Sequence, residues 1–216
     1  MSVTGQSSTA VEDLTARARI RNAALRSFTE NGFDRATVRD IARAAGVSPG
    51  LLRHHFGSKD ELRRACDAYA LDALRAYVER AMTDEGRSDP RAIAEARDPL
   101  HPYQQYLARA LIDESEAAAK IFDEMVTMTE QLLRQIDEQR PDPPVADLRT
   151  RAALTVAMAL GIPAFRSHIS RSIGTDILSP EGDRRVILAV LDIRSHPTIS
   201  AETARTLRQG LARPDS

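Results

Sequence analysis

The chain has 216 residues and a net charge of −1, so any attraction to a polyanion must come from where its charges lie, not from their sum. Aromatic residues make up only 4%, there is no Trp, and no stretch alternates β-branched and aromatic residues, which argues against a β fold. No run reaches the roughly 18 apolar residues of a membrane span, and the single cysteine, Cys66, excludes an internal disulfide and cannot build a zinc site alone.

Helix formers recur throughout, and an all-α fold is expected. The segment from Met1 to about residue 12 is polar and small, lacks an apolar signal core, and reads as a disordered leader of a cytoplasmic protein. A first helix is expected from about Asp13 to Asn31, with Ile20, Ala23, Ala24 and Phe28 on one face and Gly32 as its stop. Thr37 opens a short second helix. Its hydroxyl is placed to accept from the Asp40 N–H, and Asp40 to reach back to the Thr37 N–H. Val38, Ile41, Ala42 and Ala45 form the buried face, and Gly46 ends the helix.

Ser48 caps a third helix and Pro49 occupies its first position, where a missing N–H costs nothing. Phe56 closes it and Gly57 breaks the chain. Ser58 and Glu61 then form a second capping pair for a long helix reaching about Thr83. A loop over 84–90 and two shorter helices near 91–97 and 102–113 follow, punctuated by Pro90, Pro99 and Pro102. A long amphipathic helix spans about Glu116 to Gln139. Another runs from Val145 to Ser172, with a kink expected near Gly161 and Pro163. Helices over Asp183–Ile193 and Ser200–Leu211 complete the chain.

Charge is unevenly spread. Residues 14–64 carry +6 and residues 65–216 carry −5. A basic N-terminal quarter on an acidic body is the electrostatic footprint of a DNA binder, and clustered solvated arginines would give the same pattern. Two short helices joined by a tight turn at Thr37–Phe56 match a geometry that offers the N-terminal end of the second helix to the major groove.

The segment Ile20–Leu62 resembles the DNA-binding domain of the TetR family of bacterial regulators. The matching pieces are Ala23-Ala24, Phe28 and Asn31-Gly32-Phe33, then Ala36-Thr37-Val38-Arg39-Asp40-Ile41-Ala42. Ala45-Gly46-Val47-Ser48-Pro49-Gly50-Leu51-Leu52 and His55-Phe56-Gly57-Ser58-Lys59-Asp60-Glu61-Leu62 complete it. The resemblance implies an N-terminal three-helix domain over 13–60 and a larger helical ligand-binding and dimerisation domain over 61–216.

It also implies roles. Ser48, Pro49, Gly50, Leu51 and His54 should approach base edges, with Leu51 meeting thymine methyls. Thr37, Arg39, Arg53, His55 and Lys59 should touch phosphates or sugars. Arg53 departs from the family's usual Tyr and suits either a phosphate or a guanine edge. His55 suits packing under the helix as well as it suits DNA, and Arg43 reads as merely solvated. Adjacent His54 and His55 point about 100° apart on a helix, so no metal site is expected, and no cofactor.

For the C-terminal half, the resemblance implies a homodimer built from the helices near 145–172 and 183–193, and a pocket for an unknown small molecule. Candidate lining residues are Tyr103, Tyr106, Phe122, Met125, Met128, Met158, Phe165 and His168, although such a stripe also makes ordinary core. The implied function is a repressor released from a palindromic operator by a ligand. An activator of the same fold, or an adaptor that does not read DNA, are the alternatives. No nucleophile motif or phosphate loop points to an enzyme.

Overall fold

A computed structural model describes residues 4–83, 100–112, 115–196 and 198–211. Those residues are all-helical, in ten helices: α1 (Thr4–Arg35), α2 (Val38–Ala45), α3 (Pro49–Phe56), α4 (Lys59–Met82), α5 (His101–Leu111), α6 (Glu116–Asp137), α7 (Leu148–Ala164), α8 (Arg166–Ile173), α9 (Pro180–Ser195) and α10 (Ala201–Leu211). The loop expected over 84–90 and the helix expected near 91–97 lie outside the described residues.

Two expectations need correction. The leader expected to be disordered over 1–12 is helical from Thr4, as a backward continuation of the first helix. The helix expected over 145–172 is two helices. Gly161 and Pro163 both lie inside α7, and Phe165, with φ of −97° and ψ of 20°, leaves helical geometry before α8 begins.

The chain forms two compact units, Met1–Ala164 and Phe165–Ser216. In the first, α1 packs against α2, α4 and α5. Ile20, Ala24, Ile41, Leu52 and Leu62 are fully buried in one core that continues through Cys66 and Ala70 to Tyr106, Leu107, Ile121, Met125 and Val126. The Ile, Leu, Met and Val side chains among them each contribute roughly 1.5–3 kcal/mol on burial. α4 therefore belongs to the same interior as the short helices before it. α6 and α7 pack as neighbours, and Arg151 forks onto Asp137 at 3.0 and 2.6 Å where α6 ends. That pair holds the Asp137 carboxyl below its ordinary range.

In the second unit, Arg166 forks onto Asp176 at 3.2 and 2.8 Å across the turn after α8. Ser179 caps α9 and Pro180 starts it, three residues earlier than the sequence led us to expect. Ser200 caps α10 as expected, accepting from the Thr203 N–H at 3.0 Å.

Candidate nucleic-acid interface

The recognition geometry is built by local caps. Thr37 Oγ1 accepts from the Asp40 N–H at 3.1 Å, as expected. The return bond is different: the Thr37 hydroxyl donates to Asp40 Oδ2 at 2.6 Å, and Asp40 Oδ1 takes Arg43 at 2.6 Å. Aspartate is one methylene too short for the reciprocal reach that glutamate makes. At the start of α4 the full pair is present. Glu61 Oε2 accepts from the Ser58 N–H at 2.8 Å and the Ser58 hydroxyl accepts from the Glu61 N–H at 3.1 Å. The Ser58 N–H, seconded by its hydroxyl, holds the Glu61 carboxyl below its usual range. Arg43 is thus ion-paired, although its side chain stays 81% exposed.

Between α2 and α3 the chain turns at Gly46, with φ of 65° and ψ of 39°, a left-handed conformation that costs other residues energy. The Gly46 N–H donates to the Arg43 carbonyl and the Val47 N–H to the Ala42 carbonyl. Ser48 Oγ then accepts from the Leu51 N–H at 3.1 Å.

This turn sorts α3 into two faces. Leu52 and Phe56 are buried against the core. Ser48, Pro49, Gly50, Leu51, Arg53 and His54 are exposed, as are Thr37 and Arg39 on the preceding segment. Arg39 and Arg53 carry no ion pair among the described residues, so both guanidinium groups are open to a phosphate. The N-terminal end of α3 exposes the small residues Ser48, Pro49 and Gly50, which suits close approach to a duplex.

Two expected phosphate contacts sit differently. His55 is half-buried, with its ring against those of His54 and Phe56 and its carbonyl accepting from Arg17 at 3.4 Å. Lys59 donates to the Asp34 carbonyl at 3.3 Å and lies 4.3 Å over the Phe33 ring, pinning α4 to the end of α1. Arg17, which helical spacing places off the apolar face of α1, has a bracing role that the spacing does not show. Its guanidinium lies 4.8 Å over the Phe56 ring and braces the underside of α3. The run of arginines at 17, 19 and 21 was its only signal.

Of the eight candidate pocket residues, six lie in the first unit and two, Phe165 and His168, in the second. Tyr106 and Met125 are buried, while Tyr103 and Phe122 pack half-buried against the core. Tyr106 also borders a cleft of about 350 Å³, and Met128 a smaller one of about 240 Å³ between α4 and α6. Met158, Phe165 and His168 are exposed. Helical spacing marks a face but does not tell core from surface. Among the described residues, no cluster of three His, Cys, Asp or Glu could hold a metal, and no single helix is long and apolar enough to cross a membrane.

A family model described as bacterial regulatory proteins, tetR family, matches residues 20–66. The chain is 36% identical over 140 residues to the HTH-type transcriptional regulatory protein RaaS of Mycobacterium tuberculosis, an alignment covering 65% of this chain and 66% of that protein. It is 49% identical over 49 residues to the HTH-type transcriptional regulator UidR of Escherichia coli, covering 23% of this chain and 25% of the relative. Its fold is similar to the crystal structure of a TetR-family transcriptional regulator from Rhodococcus, with a TM-score of 0.57 at 21% identity, covering 83% of this chain and 97% of the other. It is also similar to SmeT, the repressor of the Stenotrophomonas maltophilia multidrug efflux pump SmeDEF, with a TM-score of 0.54 at 23% identity over 77% and 84% of the two chains. At these identities the structural likeness speaks for the fold alone.

Proposed function

The chain belongs to the tetR family of bacterial regulatory proteins, and we propose that it is a ligand-responsive transcriptional regulator, a repressor that leaves a palindromic operator when a small molecule binds. The observation that carries this is the two-faced α3. Leu52 and Phe56 anchor it, while Ser48, Pro49, Gly50 and Leu51 stand exposed at its N-terminal end, with Leu51 37% accessible. Arg39 and Arg53 supply sequence-independent phosphate attraction, and Leu51 and His54 supply base contact.

Reading a palindrome needs two copies. Exposed Leu154 and Met158 on α7 and exposed Leu188 and Leu191 on α9 support a homodimer through these helices. Release then works by population shift. Ligand favours a dimer whose two α3 helices no longer stand one DNA turn apart, roughly 34–36 Å. Its lever is α4, which is continuous from Lys59 to Met82. A regulator of this kind is cytoplasmic and performs no catalysis.

Fluorescence anisotropy with a duplex from upstream of the protein's own gene tests the proposal. Binding tighter than to a scrambled duplex by roughly 10³-fold or more is expected. Equal affinity for both duplexes would overturn it.

A further inference from the structure

The cleft of about 350 Å³ lies within the first unit, between the end of α1, the start of α4 and the end of α5. Among the described residues its lining carries three arginines, Arg35, Arg63 and Arg109, and one carboxylate, Asp34. Phe28, Phe33, Ala110 and Ile112 make the apolar part of the wall. A cleft of this size falls at the lower end of the ~300–1,000 Å³ typical of small-molecule sites.

The arginines are unequally engaged. Arg63 lies 4.7 Å over the Phe33 ring and reaches Ser115 Oγ at 3.5 Å. Arg35 gives its Nε to the Asn31 carbonyl at 3.1 Å. Arg109 is half-buried and makes no hydrogen bond or ion pair among the described residues. Its terminal nitrogen seats 3.1 Å from where a Cβ on Gly32 would stand, so the bare glycine admits the guanidinium against the backbone. Its fixed fork of N–H donors has no protein acceptor among the described residues, so it is free to take an anion in a bidentate grip.

We propose that this cleft binds a small carboxylate with an apolar body. The carboxylate forks onto Arg109, with Arg35 adding charge, and the body lies along Phe28 and Ile112. A planar carboxylate matches the guanidinium fork bidentately. The apolar wall disfavours a bare inorganic anion, and the small volume disfavours a nucleotide. The cleft lies outside α2 and α3, so this site is separate from the DNA-facing surface.

Isothermal titration of the full chain with benzoate, hexanoate, benzyl alcohol and inorganic phosphate, at constant ionic strength and without DNA, tests it. One benzoate or hexanoate per chain is expected, with benzyl alcohol and phosphate at least tenfold weaker. Arg109→Gln should weaken benzoate at least tenfold, and the exposed Arg35→Gln about threefold, with thermal unfolding unchanged in the latter. Absence of carboxylate binding, benzoate binding indifferent to both substitutions, or equal binding of benzyl alcohol or phosphate would each overturn the proposal. Because no DNA is present, its failure leaves the operator-binding proposal standing.

Discussion

The Tyr106 hydroxyl donates a 2.5 Å hydrogen bond to Asp67 Oδ1, joining α5 to α4 inside the core, where Tyr106 is 2% and Asp67 8% exposed. Removing the hydroxyl leaves a buried carboxylate short of a donor. Tyr106→Phe is expected to cost about 1–3 kcal/mol. Urea denaturation measures it, and an unchanged midpoint would show that the bond contributes nothing.

The same pair gives a pH signature. Burial raises the Asp67 carboxyl above its ordinary range, with the Tyr106 bond and the Arg63 charge pulling the other way. A carboxyl raised on folding contributes stability that is present below its unfolded value, about 3.9, and lost as pH rises through the raised value. Unfolding free energies of the native protein and Asp67→Asn, measured from about pH 4 to 7, should therefore diverge in the variant's favour as pH rises. Parallel curves would refute this.

On DNA, Arg53→Ala and Arg39→Ala should each weaken binding to all duplexes to a similar extent. Each should also make the slope of log affinity against log salt shallower by about 1. If Arg53 instead reads a guanine edge, its loss will fall mainly on the cognate duplex, by about 1–3 kcal/mol.

Gly46→Ala puts a Cβ on a left-handed residue. Only Arg19 stands near it, at 4.0 Å, so strain and not collision sets the cost, about 1–2 kcal/mol. Thermal melting reads the stability loss, and operator affinity should fall with it because the turn sets the angle of α3.

Cys66 should be silent. Burial, aided by the Asp67 charge, pushes its thiol up to about 12, and the side chain is wholly enclosed. Aromatic disulfide reagents at pH near 8 should label it only in denaturant. Fast labelling of the native chain would contradict the packing of α4 on α1.

Local chemistry was legible in the sequence. The caps at Ser48 and Ser58 and the left-handed Gly46 depend on residues three or four apart, and the structure has each where the pattern placed it. Thr37 was legible only in part, because its partner's shorter reach changes which atom it meets. Tertiary pairings left no such trace. Lys59 over Phe33, Arg17 over Phe56 and Arg109 against Gly32 join distant segments, and spacing carries no record of them. Burial along a helical stripe is equally unrecorded in spacing. Met125 and Met158 share a helical pattern with their neighbours, yet one is buried and the other is 63% exposed.

The shared interior of Ile20, Leu62, Cys66 and Tyr106 sets how this protein can be re-engineered. A transplant of residues 1–60 onto another body would sever that interior along its middle, exposing Ile20 and Phe28 to water. The smallest portable reading head must carry the first turns of α4 through Ala70 and a replacement for the α5 surface around Tyr106. A hybrid joined at residue 60 should behave as a misfit pair, whatever the merit of each half alone.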